Sequence, residues 1–376
     1  MSITLHPIDP FNKKELRQFL QFPFDLYKGN PYWVPGLWTD EYDLFSKVHN
    51  PVLKHCDLKL IIAFKDGKPA GRIAGIINHR ENQLNHTLKG RFGWFDVIDD
   101  LEVTKSMFSA IEAWIKEKKM SEIEGPMSFT NLDKAGLLVE GFDQMPTIAT
   151  LYNHPYYAGH LESLGYVKAV DWIEHQLNCP TELTERFVKF SEILKEKYKV
   201  KTVPIHNKKD LVENAYKMFD LINRTYKDIH GFIAFEQEQV NLYVRKYSKI
   251  LMPKFISLVA DEQDQLISFG LALPSLSKAF QKAKGRLLPF GWFHLLKALR
   301  KNDTLDLLLI GTDPAWRNKG VHALLFYDIM KSAIEAKIQW VESNPELETN
   351  TNVQLLWKGY EYRQHKRRRT YKKIVN

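Results

Sequence analysis

The chain has 376 residues, with 53 Lys and Arg against 45 Asp and Glu, a net charge of +8 and 44% hydrophobic residues. That composition excludes a disordered chain and suits roughly two or three domains, while the modest basic excess fits anionic ligands, lipid surfaces or nucleic acid without choosing among them. Two cysteines, Cys56 and Cys179, are too few for a disulfide framework or a Cys-rich metal site.

No run approaches the ~20 apolar residues of a membrane span, and the N-terminus lacks a basic segment followed by an apolar core. A cytoplasmic protein is therefore expected, with peripheral contact to the cytoplasmic face of the inner membrane left open. In chain order, "ITLHPI" reads as a strand and a helix is expected from about Asn12. The aromatic "FPFDLYKGNPYWVPGLWTDEY" reads as irregular, because its prolines and Gly interrupt a helix. "LKLIIAF" and "PAGRIAGIIN", joined by Asp66, Gly67 and Lys68, predict a hairpin. "RFGWFDVI" reads as a strand. "SMFSAIEAWIKEKK" reads as an amphipathic helix with Met107, Ile111, Trp114 and Ile115 on one face. A short strand near Ile123, a helix in "HPYYAGHLESLGY" and a strand in "VKAVDWIEHQL" complete the first half.

"NCPTEL" reads as the linker: Pro180 ends the strand and Thr181 is placed to cap the next helix. The second half repeats the plan. It has a strand "KTVPI", helices near Asp210 and Glu236, a strand pair "FISLVAD" and "LISFGLALP", and an insert over 275–302. Strand "TLDLLLIGT", helix "GVHALLFYDIMKSAIEA", strand "IQWVES", a short helix and terminal strands in "YEYRQHKRRRTYKKI" follow. The repeated order predicts an α+β (mixed α/β) architecture. Its two domains, 1–179 and 180–376, would each hold a central mixed sheet flanked by helices.

One junction carries chemistry. In "LLLIGTDPAWRNKGVHALLF" a strand ends at Asp313 and Pro314, an R-x-x-G segment runs from Arg317 to Gly320, and a helix begins. Helix N-termini present unpaired amides and partial positive charge to phosphate. Here the amides of Asn318, Lys319, Gly320, Val321, His322 and Ala323 would cradle a pyrophosphate, with Arg317 and Lys319 adding charge. The alternative is an ordinary strand–turn–helix junction with solvated basic residues.

"GTDPAWRNKGV" resembles the acyl-CoA-binding motif of the GNAT superfamily of acyl-CoA-dependent N-acyltransferases. The usual pattern is R/Q-x-x-G-x-G/A, from which His322 departs. The topology is similar to two GNAT-like domains in tandem, the first degenerate because no R-x-x-G follows "FGWFDVI". "NPYWVPGLWTDEYDLF", "HNPVLKH", "DGKPAGRIAGIIN", "GPMSFTNLDKAGLLVEGFDQMP", "HPYYAGHLESLGYVKAVDW" and "NPELETN" look like the branch that includes the bacterial ceramide synthases. The resemblance implies transfer of a fatty acyl group from CoA to a sphingoid-base amine. It also implies that pantetheine runs along the backbone of Leu309, Ile310, Gly311 and Thr312.

Such a transfer needs a base for the amine and polarisation of the thioester, and direct attack needs no covalent nucleophile. "WVESNPELETN" offers Glu342, Glu346 and Glu348, with Glu348, Asn350 and Glu342 the preferred catalytic candidates; an exposed acidic loop has the same pattern. Asn131, Asp133, Glu140 and Asp143 are candidates to bind the acceptor, or belong to a loop of Asx turns. The histidines show no metal-ligand spacing, so no metal is expected.

In the insert, Trp292, Leu295, Leu296 and Leu299 recur at helical spacing beside Lys297, Arg300 and Lys301, as an interfacial membrane helix or a helix packed over the sheet would have. "RQHKRRRTYKK", read as edge strands, splits its charge between two faces and would meet CoA phosphates, anionic lipid, RNA or solvent. No RNA-binding module accompanies it, so nucleic acid is not the expected partner. An aminoacyl-tRNA-dependent transferase and a non-catalytic acyl-CoA-binding protein are the competing readings.

Overall fold

The structure is a computed structural model that describes residues 2–375 except 131 and 228. Strand β1 (Ile3–Ile8) leads to helix α1 (Lys13–Leu26), whose N-cap Asn12 accepts from the Lys14 and Glu15 amides. Helix α1 continues through Pro23, and α2 (Trp38–Leu44) follows, so the Pro-rich stretch is more helical than its composition suggests. Strands β2 (Cys56–Lys65) and β3 (Lys68–Asn78) form the expected hairpin, turning at Asp66 and Gly67 with φ of 48° and 77°. Then come α3 (His79–Asn85), β4 (Lys89–Val97), α4 (Leu101–Glu117), β5 (Glu122–Gly125), β6 (Leu137–Glu140), α5 (Tyr156–Ser163) and β7 (Val167–Asn178).

The second half holds α6 (Glu185–Tyr198), β8 (Lys201–Thr202), α7 (Lys208–Thr225), α8 (Gln237–Tyr247), β9 (Ile256–Ala260) and β10 (Leu266–Pro274). The insert forms α9 (Ser277–Ala283) and α10 (Gly291–Arg300). Strand β11 (Thr304–Thr312), α11 (His322–Glu335), β12 (Trp340–Glu342), β13 (Glu346–Leu347), α12 (Thr351–Gln354) and β14 (Tyr362–Ile374) complete the chain.

The fold is mixed α/β, built on one sheet in the order β1-β2-β3-β4-β5-β14-β7-β12-β11-β10-β9-β8. In each half an antiparallel run ends in one parallel pair, β4 with β5 and β11 with β12. The halves then exchange their last strands. Strand β14 lies against β5, β7 lies against β12, and β14 and β7 pair with each other from Tyr362 opposite Leu177 to Lys372 opposite Val167. The two helices predicted from apolar periodicity each cover one half. Met107, Ile111 and Ile115 of α4 are buried against Ile73, Ile77 and Phe92, and Phe326, Ile329 and Met330 of α11 against Leu305 and Val341.

The basic tail is therefore a central strand, not an edge. Side chains alternate between the faces of a strand. Lys366 and Arg368 are fully buried on one face, where both pair with Glu174 of β7, Lys366 at 3.1 Å, and Lys366 also lies 3.4 Å from Glu342 of β12. Burial opposes ionisation of Glu174, but the Arg368 and Lys366 charges outweigh it and hold the carboxyl at about 2. On the other face Arg367 and Arg369 reach Asp171 of β7 at 3.1 and 2.7 Å. Lys373 reaches Glu112 of α4 at 3.0 Å. The charge read as available to CoA, lipid or RNA is in these five residues neutralised inside the protein.

Removing one partner of a buried ion pair leaves an uncompensated charge. Glu174→Gln is expected to lower unfolding stability by about 3–5 kcal/mol in urea titrations. Exposed Arg363→Ala is expected to change it by about 0.5 kcal/mol or less. Equal effects would remove the charge cluster from its central position.

Candidate functional site

The parallel ladder of β11 and β12 spans only three residue pairs and ends at Asp306 opposite Glu342. Beyond it the Asn344 side chain donates to the Leu308 carbonyl at 2.5 Å. The β4–β5 ladder is equally short, ending at Arg91 opposite Glu124. The space past both ladder ends belongs to one cavity of about 960 Å³, lined by 93–96 and 126–128 from the first half and by Leu308, Leu309 and Asn344 from the second. That volume lies near the upper end of ligand pockets.

The cavity walls are mainly apolar and aromatic: Phe24, Trp33 and Trp38 from the Pro-rich stretch, and Met218, Phe219, Leu273, Leu276 and Phe280 from the second half. Charged groups gather in patches between these apolar walls, Asp40, Glu41, Arg245 and Lys246 among them. Arg72 and Asp96 pair at 2.7 Å, and the Tyr27 hydroxyl donates to Asp96 at 3.0 Å. Glu41 accepts from the Trp94 indole at 3.2 Å. Asp133 accepts from the Thr130 amide at 2.7 Å and hydroxyl at 3.0 Å, and burial pushes its carboxyl above the usual range. Burial likewise holds the Lys134 ammonium below its ordinary value.

The anion-loop candidate lies at the end of β11. Asp313 caps a single turn through its bond from the Ala315 amide, and Arg317 donates to the Thr225 carbonyl at 2.9 Å while remaining exposed. Asn318 and Gly320 are left-handed, with φ of 65° and 78°. Lys319 lies 4.1 Å from the centre of the Trp316 ring. The N-cap of α11, Val321, supplies no side-chain acceptor, and Ala323 is the first amide bonded back, to Gly320. Preceding amides are thus free of a side-chain cap, as an external anion requires. Burial holds His322 below its ordinary pKa, so it adds no positive charge at neutral pH.

The matching junction in the first half is closed. Asp100 caps α4 by accepting from the Glu102 and Val103 amides, and Lys65 pairs with its carboxylate. An anion there would meet occupied amides and the charges of Asp99 and Asp100.

Comparison with known proteins bears on this arrangement. No family model matches the chain. Protein YghO of Escherichia coli is 31% identical over 376 residues, 97% of this chain and 94% of that protein. The bacterial ceramide synthase of Caulobacter vibrioides is 27% identical over 294 residues, 76% of this chain and 74% of that one. Among solved structures, a tandem GNAT protein from the clavulanic acid biosynthesis pathway superposes with a TM-score of 0.57 at 10% identity, covering 100% of this chain and 99% of that chain. The chain belongs to the same family as protein YghO, and its fold is that of the tandem GNAT proteins. A GCN5-related N-acetyltransferase from Anabaena variabilis has the same fold at a TM-score of 0.52 and 10% identity, covering 100% of this chain and 73% of that chain.

Within this GNAT fold the sequence-derived residues separate into groups. Leu309 lines the cavity, while the Ile310 carbonyl accepts from Tyr226 at 2.8 Å and the Gly311 carbonyl from Ser268 at 3.0 Å. Thr312 lies with its hydroxyl 2.8 Å from that of Ser268. The acids after β12 are engaged elsewhere. Glu348 pairs with Lys168 and, at 2.9 Å, with Arg367. Glu342 accepts from Gln176 at 2.8 Å and lies 2.8 Å from His365. Burial pushes the Glu342 carboxyl up, but His365, Lys366 and Gln176 outweigh it and hold it below its ordinary value. Asn350 shapes the turn into α12, its amide on the Leu347 carbonyl and its carbonyl accepting from Val353. None of these three lines the cavity.

Glu140 pairs with Arg367 at 3.1 Å and Asp143 is exposed; neither reaches the cavity. Asn131 lies outside the described residues. Sequence reading missed Glu41 and Lys134. It also missed Asp306, whose signal was available as the lone acid in "TLDLLLIGT".

Asp306 is buried beside Glu342, with the Ser275 side chain as its one polar neighbour that favours the ionised form by hydrogen bonding. Burial, and then the Glu342 charge, push its carboxyl up to about 7. The folded state then holds a proton that the unfolded chain has lost, so stability falls as pH rises from the ordinary value of 3.8 towards 7 and levels off above it. Asp306→Asn removes that slope. The melting temperature of the unsubstituted protein is expected to drop relative to the variant between about pH 5 and 7, with a constant difference above. Parallel curves would show that Asp306 does not titrate in this window.

Proposed function

We propose that the protein is an acyl-CoA-dependent N-acyltransferase that moves a long-chain fatty acyl group to the amine of a lipid acceptor, a sphingoid base, by direct attack in a ternary complex. The observation that carries this reading is the cavity. It is mainly apolar, large, and touches at Leu308 and Leu309 the strand β11 that leads through Arg317 and Lys319 into a helix N-terminus without a side-chain cap. The likeness to the ceramide synthase supports the lipid acceptor. The unpaired Cys56 and Cys179 suit a reducing compartment such as the cytoplasm.

In this reading the amides of Asn318, Gly320, Val321 and His322 hold the pyrophosphate, those of Lys319 and Ala323 being bonded within the loop, while β11 guides the pantetheine and the thioester lies where the β11–β12 ladder ends. The acyl chain fills the cavity. The acceptor amine loses a proton to Asp133, which lines the cavity and whose carboxyl burial makes more basic than an ordinary carboxylate. Its nitrogen bonds to the thioester carbon, the C–S bond breaks, and the thiolate takes up a proton from solvent. Glu342, Glu348 and Asn350 act as positioning residues that fix the segment after β12. Residues 1–179 form the domain without a CoA loop and 180–376 the domain with one, each lending the other its last strand. The aminoacyl-tRNA reading loses its main support, because the tail charges of Arg367, Arg368 and Arg369 are paired internally.

Calorimetry with CoA and palmitoyl-CoA tests the site. Palmitoyl-CoA is expected to bind tighter. Gly320→Val, at a left-handed φ that a β-branched residue avoids, is expected to weaken both by roughly tenfold or more with an unchanged circular dichroism spectrum. Asp133→Asn is expected to lower kcat on a sphingoid amine by about 100-fold with palmitoyl-CoA affinity retained. Full CoA affinity in the Gly320 variant, or full turnover in the Asp133 variant, would overturn the corresponding assignment.

A further inference from the structure

The insert that forms α9 and α10 has two apolar sides. Its inner side closes the cavity, where Leu287 and Leu295 join the lining. It is anchored on the first half, with Gln281 donating to the Pro31 carbonyl at 2.8 Å and the Trp38 amide donating to the Gly285 carbonyl at 2.8 Å. The outer side has no cover. Leu288 is 78% exposed, Phe290 73%, Trp292 48%, Phe293 55% and Leu296 43%, five large apolar side chains within nine residues. Contiguous apolar surface of this kind marks an interaction site.

Charge identifies the partner. Residues 275–302 contain seven Lys and Arg and no Asp or Glu, against a net +8 for the whole chain. Lys282, Lys284, Arg286, Lys297, Arg300 and Lys301 are exposed around the aromatic patch. A second copy would bring the same positive patch against itself, and nucleic acid would leave the apolar residues wet. A bilayer with anionic headgroups satisfies both features: rings enter the headgroup–acyl boundary while basic groups meet phosphate. Among the described residues no helix is long and apolar enough to cross a membrane, so the contact is a docking one.

We propose that the outer face of this insert docks on an anionic phospholipid bilayer, with the cavity wall resting on the membrane. Lipid hydrocarbon then has an apolar route from the bilayer past Leu287 and Leu295 into the cavity. That route rests on the function proposed above; the docking does not.

The test is co-sedimentation of the full chain with vesicles of phosphatidylcholine alone and of equal parts phosphatidylcholine and phosphatidylglycerol. Binding is expected to the mixed vesicles and to be much weaker to the neutral ones. Phe290→Ser/Trp292→Ser/Phe293→Ser and, separately, Lys297→Glu/Arg300→Glu/Lys301→Glu are expected to weaken it by about tenfold or more. Both are expected to keep the melting temperature and the calorimetric affinity for CoA. Vesicle binding that survives both triple substitutions would overturn the proposal. So would no vesicle binding, together with a dimer that the serine variant dissociates, because a second copy would then cover the face. A chain that binds vesicles but not CoA would keep the docking and remove the acyltransferase reading.

Discussion

The fold depends on the placement of Lys366, Arg368 and Glu174 at the centre of the sheet. Strand β14 belongs by sequence to the second half but lies between β5 and β7 of the first. A central strand has both faces covered, so its charged residues need partners on both. Glu174 and Glu342 serve one face, and Asp171 and Glu348 the other. This also fixes register. A slip by one residue would turn Lys366 and Arg368 away from Glu174 and bring Arg367 and Arg369 into their place without their own carboxylates.

The halves share a plan and differ at one decisive point. Each places a helix after the strand that precedes its short parallel ladder. Asp100 satisfies the first amides of α4 from within the chain, whereas Val321 at the N-cap of α11 offers no side-chain acceptor. The two junctions thus differ in capping chemistry, and only the second lacks a side-chain cap. The first half contributes walls, with Trp33 and Trp38 held by the same Pro-rich stretch that resists a continuous helix.

Local signals carried much of this in the sequence. The hairpin at Asp66 and Gly67 follows from turn chemistry, α4 from its apolar spacing, and the loop at Arg317 to Gly320 from a strand, a Pro and a Gly ahead of a helix. Strand exchange was not legible, because β14 finds β7 nearly two hundred positions earlier in the chain and periodicity says nothing about which strand is the partner. The same gap explains Glu342 and Glu348. Read alone they are free acids near a cofactor loop. Their cations lie in a tail that, read alone, is a solvated basic segment. Only folding brings the two segments together, and it pairs the acids of one with the cations of the other. The cavity was hidden for a related reason, since its walls come from segments far apart in sequence.

The exchange of last strands also has a consequence for synthesis. A ribosome makes β14 after every other strand described here, yet the first half cannot close its sheet without it. Residues from Ile3 to Asn178 therefore wait, with β5 and β7 each lacking a neighbour, until β14 emerges. The first half is thus not a unit that matures while the second is still being made.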